Sequence, residues 1–480
     1  MRVDFIIDGA SVGAASGATF ARHDPVTGKI ASEAAAAGAG DVAKVVEAAS
    51  RAFTTWSETG PSERRALLLK AADLLERRTE DFCRLMTEEI GATGPWGGFN
   101  VHFAASLLRE AAALTTQILG EVIPADKPGV LSLAMRQPAG VVLGLAPWNA
   151  PVILGVRAIA APLACGNTVI LRSSEVCPAT HHLIVQTLND AGFPKGVVNV
   201  IANAPADAPD VVAALIAHPA VKRINFTGSS KVGKVIAKLA AEHLKPVLLE
   251  LGGKAPLIVL DDADIDAAVD ATVFGAFMNQ GQICMSTERL VVDASVADAF
   301  VDKLAKRAAA LPAGDPRGHV VLGSLVNLAA AERMDALIAD AVAKGGKVVA
   351  GGKRNGAIVE ATVIDHVTPE MRIYGEESFG PVKPIVRVNG QEEAIRVAND
   401  TEYGLSSAVF SRDVQRALAV AKRLETGICH INGPTLHDEG QMPFGGVKAS
   451  GYGRFGGKAV IDEFTELRWI TIEGPQRYPF

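Results

Sequence analysis

One cysteine lies in an unusually polar stretch and is the first candidate for chemistry. Cys284 ends the run 279–284, which reads Asn-Gln-Gly-Gln-Ile-Cys. A lone cysteine is most often a small buried hydrophobic residue, but amide and glycine neighbours are not typical of an inert core thiol. Glycine lets the backbone approach a substrate closely, and a thiolate on such a loop is a nucleophile. The run therefore favours a reactive thiol at Cys284.

An acid and an amide are the next candidates. Glu250 stands between leucines, just before a Gly-Gly pair at 252–253. If Glu250 is buried, its pKa rises towards neutrality and it can accept a proton from a thiol or a water; the alternative is an edge-strand glutamate facing water. Asn149 ends a Pro-Trp-Asn turn after an apolar run. Its amide can donate to a developing oxyanion, although asparagine is also common in ordinary turns.

A glycine-containing turn at 226–233 suits a phosphate group. It reads Phe-Thr-Gly-Ser-Ser-Lys-Val-Gly, follows a predicted strand and opens a predicted helix, whose N-terminal amides can bind an anion. The turn nearly matches the P-loop of nucleotide triphosphatases. However, Val235 stands where a serine or threonine would bind magnesium, so we reject that class.

Parallel strands are predicted to position these residues. From residue 140 onward, short apolar runs alternate with helix-length segments such as 178–191. The apolar runs are 141–145, 169–171, 197–201 and 221–226. This alternation predicts an α/β fold with a parallel sheet covered by helices on both faces. A second series begins with a strand at 256–260 and a helix at 264–278, so we place a domain boundary near residue 251.

Other segments have different patterns. Helical spacing over 41–85 predicts amphipathic helices. The segments 130–137 and 464–472 resemble antiparallel strands. A strand at the end of a chain is often a sheet edge, and edges pair with other chains.

Composition excludes several classes of protein. The chain has 480 residues, too many for one hydrophobic core, and its net charge of -6 makes nucleic acid an unlikely partner. The most apolar stretch, 150–165, is interrupted by Arg157 and Pro162, so we predict no membrane span. The five cysteines include no Cys-x-x-Cys pair, which argues against disulfides or structural zinc and suits a reducing cytoplasm. No metal site is predicted.

Taken together, the motifs resemble the aldehyde dehydrogenase superfamily over essentially the whole chain. The matching segments, in order, are 147–149, 226–229 with Gly233, 249–254, 281–284, 377–381 and 443–446. The resemblance implies an α/β fold of three parts: a Rossmann-type cofactor domain, an α/β catalytic domain and a small bridging β-sheet. The corresponding ranges are 1–119 with 140–251, 252–462, and 120–139 with 463–480. It also implies a homodimer or homotetramer.

The resemblance implies a mechanism as well. The Cys284 thiolate would attack the aldehyde carbon, while Asn149 and the backbone N–H of Cys284 hold the oxyanion. A hydride would leave for a nicotinamide. Glu250 would then activate a water, which releases the carboxylic acid.

The same resemblance assigns the residues that bind the cofactor. Glu377 would hold the nicotinamide ribose, Phe379 would pack against the nicotinamide, and Ser229 would contact the pyrophosphate. The remaining members of this set are Trp148, Gly228, Gly233 and Leu251. Relatives commonly have Lys-Pro-Ser-Glu where residues 172–175 read Arg-Ser-Ser-Glu. Glu175 favours NAD because its charge would repel a 2′-phosphate, whereas Arg172 leaves NADP possible.

Two features suggest an aromatic substrate with a polar ring substituent. Trp96, Phe99 and Phe103 fall at helical spacing, so they share a face that either lines the substrate tunnel or packs in a core. Arg157 lies in an apolar segment; it either forms a buried ion pair with an acid or points at a phenolic oxygen. The run 428–434, followed by a His-Asp pair at 437–438, resembles the members that act on benzaldehyde, salicylaldehyde and vanillin.

Two rival functions were considered. A CoA-acylating aldehyde dehydrogenase releases a thioester, and such enzymes generally lack a carboxylate at the place of Glu250. A structural or binding protein could retain the fold without the chemistry, as some lens crystallins do. Glu250 argues against the first alternative, and the presence of Cys284, Glu250 and Asn149 argues against the second.

Overall fold

The largest sheet brings the predicted phosphate turn and the predicted general base to the carboxyl ends of two neighbouring strands. The computed structural model describes residues 1–475 and 477–480. In spatial order the strands of this sheet are Gly451–Tyr452, Val247–Glu250, Val221–Thr227, Val141–Leu145, Thr168–Arg172, Val198–Ile201, Phe5–Ile7 and Ala10–Val12. The strands from Val247–Glu250 to Val198–Ile201 are parallel, as their continuous apolar character predicted.

Helices cover both faces of this sheet and confirm the predicted α/β fold. Those that alternate with the strands are Ala39–Trp56, Pro151–Ala164, Pro178–Ala191, Ala208–Ala217 and Ser230–Glu242. Three further helices, Pro61–Arg77, Thr79–Ile90 and Gly94–Leu114, pack beside them. A small sheet of Arg2–Val3, Ile30–Ala35 and Thr19–His23 lies near the N-terminus. The sequence pattern did not predict these N-terminal strands, which are short and partly exposed.

The second sheet carries the part of the chain after Gly253. Its strands, in spatial order, are Lys347–Ala350, Thr362–Asp365, Val382–Val388, Arg289–Asp293, Pro256–Val259, Ser406–Phe410 and Ile428–Ile431. Its helices are Ile265–Phe277, Ala294–Ala309, Leu328–Ala343, Arg372–Gly375, Gly390–Asn399 and Val414–Ala421. The short pair Arg354–Asn355 and Ile358–Val359 forms a separate hairpin. The predicted strand at 256–260 and helix at 264–278 are both confirmed.

A third sheet confirms the prediction that the segments 130–137 and 464–472 form antiparallel strands. Its strands are Thr465–Ile472, Leu131–Pro138 and Glu121–Ile123. Thr465–Ile472 forms one edge, as expected for a strand near the end of a chain. Leu467 and Trp469 on this strand are 61% and 75% exposed. Large apolar side chains are therefore uncovered on this sheet.

The chain returns to the first sheet near its C-terminus. Gly451–Tyr452 pairs antiparallel with Val247–Glu250, before the helix Ala459–Phe464. A Cβ on Gly451 would lie 2.0 Å from the Leu249 carbonyl oxygen, and its φ is 112°, so only glycine fits there. The range 252–462, expected to form the catalytic domain, therefore contains one strand of the first sheet. The domain ranges stay a proposal. Within the described residues, no helix is long and apolar enough to cross a membrane.

Candidate active site

A left-handed turn delivers the Cys284 loop. The helix Ile265–Phe277 is followed by a short turn, Met278–Gly281. In this turn, Asn279 and Gln280 have φ angles of 48° and 56°, which residues other than glycine rarely adopt. Gly281 follows with φ 72°, and a Cβ there would lie 2.3 Å from the carbonyl oxygen of Gly380. Gly281 is thus required by close backbone packing.

Buried amide side chains hold this strained turn in place. Asn279 Nδ2 donates to the Asn149 carbonyl at 3.0 Å, and Gln280 Nε2 donates to the Ser324 carbonyl at 2.9 Å. Gln282 Oε1 accepts the backbone N–H of Val326 at 3.0 Å. In the sequence these amides stand out only as unusual neighbours of a cysteine. Their positioning role depends on partners distant in the chain.

Cys284 lies where two cavities meet. Each cavity has a volume of about 240 Å³. Their linings share Asn149, Leu154, Thr227 and Cys284. A group bound in either cavity would therefore lie beside the thiol.

The thiol is protonated at neutral pH. Burial, together with the negative charges of Glu250 and Glu377, raises the pKa of Cys284 to about 12. A neutral thiol is a poor nucleophile. Attack by Cys284 therefore needs a group that takes its proton.

Glu250 ends its strand in a buried position. It is 2% exposed, and burial raises its pKa to about 8 against the opposing charges of Arg157 and Arg454. The nearby Gly446 amide also lowers this pKa. Even so, neither carboxylate oxygen meets hydrogen-bond geometry with any group in residues 1–475 and 477–480. Glu250 is therefore buried, as one of the two interpretations of its sequence position expected, and in its ionised form it has both oxygens available to accept a proton.

Asn149 faces the Cys284 loop. Its side-chain Nδ2 donates to the Gln282 carbonyl at 2.9 Å, two residues before the thiol. Its own carbonyl accepts the Trp96 Nε1–H at 3.1 Å. These contacts fix the Pro-Trp-Asn turn against the loop that ends at Cys284.

One of the two cavities gathers most of the predicted cofactor residues. Its lining includes Trp148, Gly228, Ser229, Leu251, Glu377 and Phe379. Trp148 and Phe379 meet edge to face, with ring centroids 5.8 Å apart. Glu377 Oε1 accepts the Gly253 N–H at 2.8 Å, and burial raises the Glu377 pKa to about 7.

The described lining of this cavity does not include the other predicted cofactor residues, which are Arg172, Glu175 and Gly233. Ser229 caps the helix Ser230–Glu242, and Gly233 in that helix lies against Leu251, whose side chain a Cβ would meet at 2.5 Å. Arg172 ends the strand next to the one that leads into Trp148, and its guanidinium donates to Glu175 at 3.0 Å.

A buried charged cluster near the site was not predicted. Glu288 accepts hydrogen bonds from Lys254 at 2.9 Å and from Lys383 at 3.0 Å. It also accepts the Ser378 hydroxyl at 2.6 Å. These residues are almost completely buried. Each came from a different strand or loop, so no local sequence pattern marked them as one group.

The other cavity contains all four predicted substrate residues. Trp96, Phe99, Phe103 and Arg157 belong to its lining. Neighbouring rings in the aromatic row are stacked, with centroids 5.6 and 5.9 Å apart. Phe99 is 47% exposed, so this face of Gly94–Leu114 lines an opening rather than packing in a core.

Arg157 forms the buried ion pair that was one of its two expected roles. Its guanidinium bonds to Asp438 and lies over the Phe444 ring, 4.5 Å from the centroid. Arg157 is 6% exposed. Asp438 and His437 also line the cavity. In the sequence they are notable only as the His-Asp pair that follows the run 428–434.

Comparison with known proteins identifies the relatives of this chain. The sequence model of the aldehyde dehydrogenase family matches residues 12–470. The chain is 60% identical to a vanillin dehydrogenase of Pseudomonas sp. strain HR199, over 99% of each protein. It is 41% identical to an NAD(+) benzaldehyde dehydrogenase of Pseudomonas putida, over 95% of this chain and 94% of that protein. The crystal structure of a salicylaldehyde dehydrogenase from Pseudomonas putida G7, complexed with salicylaldehyde, matches with a TM-score of 0.98 and 52% identity over 100% of both chains.

Proposed function

This chain belongs to the aldehyde dehydrogenase family, and we propose that it oxidises a hydroxylated aromatic aldehyde to the carboxylic acid with NAD. The observation that supports this most is the position of Cys284, which lines two cavities at once. One cavity has an aromatic wall, and the other has the residues expected to bind a nicotinamide. Relatives named for vanillin, benzaldehyde and salicylaldehyde support the same substrate class.

The residues of the second cavity fit a dinucleotide. Gly228 and Ser229 lie at the N-terminus of Ser230–Glu242, where backbone amides and the helix dipole favour a pyrophosphate. A Cβ on Gly252 would come 2.8 Å from Glu377 Oε2, so the glycine leaves room for the carboxylate proposed to hold the ribose. NAD, when bound, accepts a hydride from the substrate carbon.

The first step joins the thiol to the aldehyde. As the bond from Cys284 Sγ to the aldehyde carbon forms, the thiol proton passes to Glu250, whose pKa of about 8 makes it a competent base near neutrality. The carbonyl oxygen becomes an oxyanion. Asn149 Nδ2 and the backbone N–H of Cys284 donate to it.

The second step releases the acid. Loss of hydride from the adduct carbon leaves a thioester on Cys284. Glu250 first releases the thiol proton to solvent, and as an ionised carboxylate it then takes a proton from a water whose oxygen attacks the thioester carbon. The carbon–sulfur bond breaks, which yields the carboxylic acid and restores the thiol.

Two wider features of the proposal concern assembly and location. The uncovered apolar side chains of the third sheet, including Leu467 and Trp469, support a homodimer or homotetramer. Five cysteines, each free within the described chain, agree with the expected reducing cytoplasm.

An NADH-absorbance assay tests the function directly. We expect kcat/KM for hydroxybenzaldehydes to exceed that for short and long alkanals, without added CoA. The matched control is Cys284→Ser, which should lose at least about nine-tenths of kcat while keeping the same unfolding temperature, because a serine hydroxyl is far less ionised than a thiol. Alkanals that match or beat aryl aldehydes would contradict the substrate class. A requirement for CoA would favour the acylating alternative.

A further inference from the structure

An ion pair interrupts the largely apolar wall of the aromatic cavity. Arg157 and Asp438 both line this cavity, and their side chains are only 6% and 11% exposed. Their lining neighbours include Leu154, Met285 and Phe444. Charged groups in such surroundings are costly unless every polar atom is satisfied.

The pair satisfies one oxygen of Asp438 but leaves the other. Asp438 Oδ2 accepts the Arg157 guanidinium, which also lies over the Phe444 ring. Asp438 Oδ1 is buried and meets hydrogen-bond geometry with no group among residues 1–475 and 477–480, although the Glu439 amide is near enough to the carboxylate to lower its pKa. Leaving a buried acceptor unsatisfied costs free energy, because the oxygen has lost its hydrogen bonds to water. A ligand that brings a donor to this oxygen would recover that free energy.

We propose that Asp438 is a specificity-determining residue that accepts a hydrogen bond from a ring hydroxyl of the aldehyde. This rests on the proposed function, because the donor must arrive on an aldehyde bound at Cys284. Arg157 then acts through the buried ion pair, which is one of the two roles that the sequence left open. Arg157 holds the carboxylate in place, and Asp438 accepts the hydrogen bond from the ring hydroxyl.

The proposal requires a donor hydrogen on the substituent and not only an oxygen atom at the right position. A phenolic hydroxyl has a hydrogen to donate, whereas a methoxy group at the same ring position has an oxygen but no such hydrogen. A direct contact from Arg157 to the substituent oxygen would serve both groups. Sites built to hydrogen-bond a substrate group reject analogues that lack it far more strongly than apolar pockets distinguish by size.

The first experiment uses the wild-type protein. We would measure kcat/KM for benzaldehyde and for the hydroxy and methoxy derivatives at the ortho, meta and para positions, with alkanals alongside. At one ring position or more, the hydroxy compound should exceed its methoxy counterpart by about tenfold, as expected of a hydrogen bond to a charged group. Equal values at all three positions would overturn the proposal but leave the aryl-aldehyde function intact. A preference for alkanals would overturn both.

The second experiment replaces the acceptor. In Asp438→Asn, the amide carbonyl should face Arg157, which has only donors, so the amide NH₂ takes the place of Oδ1. The hydroxy-to-methoxy ratio of kcat/KM should fall about tenfold. The matched control is Glu439→Gln, which changes the adjacent carboxylate in the same way. Glu439 contacts His437 and Gln441, and it is not part of the described lining of this cavity.

The two variants give a clear decision. Support requires that the ratio falls in Asp438→Asn and stays within about twofold of the wild type in Glu439→Gln. An unchanged ratio in Asp438→Asn overturns the proposal, and so does an equal fall in both variants. If Asp438→Asn does not fold, as judged by thermal unfolding, the wild-type hydroxy and methoxy series decides alone.

Discussion

Glu288 Oε2 accepts the backbone N–H of Ser378 at 2.8 Å, which ties the segment that carries the thiol to the segment that carries Glu377. Lys254 strengthens the connection, since its ammonium donates both to Glu288 and to the Glu376 carbonyl, the latter at 2.6 Å. Burial alone would raise the pKa of Glu288. The charges of Lys254 and Lys383 reverse that effect and hold the pKa well below its usual range. The carboxylate therefore stays ionised and joins the two halves of the site.

Removing this charge should affect the cofactor more than the aldehyde. In Glu288→Gln, two buried ammonium groups lose their counter-charge, and the Glu377 segment loses part of its anchor. We expect KM for NAD to rise by at least about tenfold and KM for the aldehyde to change much less. Breaking a buried ion pair typically costs about 3–5 kcal/mol, so the unfolding temperature should also fall.

A second buried carboxylate provides the control for Glu288. Asp365 ends the strand Thr362–Asp365 of the second sheet and pairs with Arg387 on the neighbouring strand at 2.8 Å. Asp365→Asn should lower the unfolding temperature while keeping the ratio of the two KM values. If both variants shift this ratio equally, Glu288 serves stability alone.

The pH profile should report Glu250. Burial raises its pKa to about 8 from an ordinary value of 4.5, and only the ionised form accepts a proton. We therefore expect kcat to rise with pH and to level off above about pH 8. Glu250→Gln should lower kcat by about 10²–10⁴-fold and remove this rise, because an amide cannot act as a base.

The same shift has a consequence for stability. A carboxyl group whose pKa is raised by folding stabilises the folded state fully below its unfolded pKa, and that contribution is lost as the pH rises through the folded value. For Glu250 the loss runs from about pH 4.5 to about pH 8. Chemical denaturation across this window should therefore show a smaller decline in Glu250→Gln. An identical decline in both proteins would contradict the raised pKa.

Cofactor choice should depend on the pair formed by Arg172 and Glu175. Arg172 donates to Glu175 at 3.0 Å and to Asn203 Oδ1 at 2.8 Å, so its charge is already engaged. We expect the wild type to prefer NAD. Glu175→Gln should raise the kcat/KM ratio of NADP to NAD by about tenfold, because it removes a repelling charge and frees Arg172 for a 2′-phosphate.

A double variant separates these two effects. If Arg172 meets the phosphate, the gain should vanish when Glu175→Gln is combined with Arg172→Gln. A gain that persists would mean that the loss of repulsion is sufficient. A wild type that already prefers NADP would contradict the role of Glu175.

Features that depend on residues close together in the chain could be predicted from the sequence, whereas features that depend on distant residues could not. The run 141–145 and the turn that ends at Asn149 were predictable because continuous apolar character and turn residues mark parallel strands and the ends where ligands bind. The φ angles of Asn279 and Gln280 were not predictable, since contacts from distant segments impose them. Glu288 shows the same limit, because its partners Lys254 and Lys383 join it only after folding.

Among the predicted substrate residues, local spacing predicted a shared helix face but could not choose between two roles for Arg157. Helical spacing correctly placed Trp96, Phe99 and Phe103 on one face, and the cavity now shows what that face lines. For Arg157, the pattern left two roles open. Its partner Asp438 is 281 residues away, so only the fold could choose between them.

The third sheet should control assembly. Trp469 is 75% exposed on an edge strand, although its Nε1 donates to Ser132 Oγ at 2.7 Å. Such a large ring, with Leu467 at 61% exposure beside it, is costly to leave in water and suits burial against another copy. We expect the wild type to be a homodimer or homotetramer. Trp469→Glu should shift it towards smaller species, because a charge there would have to be buried without a partner.

Light scattering after size exclusion, at low micromolar concentration, measures this shift as a change in molar mass. Leu244→Glu is the matched control: it places the same charge at an apolar residue that is 92% exposed, just after the helix Ser230–Glu242 and outside the third sheet. The control should keep the wild-type mass. If Trp469→Glu also keeps that mass, or if both variants lose it, the edge strand is not the specific contact between copies. A mass change in Trp469→Glu alone, with an unaltered far-UV circular dichroism spectrum, assigns assembly to this strand rather than to a general loss of structure.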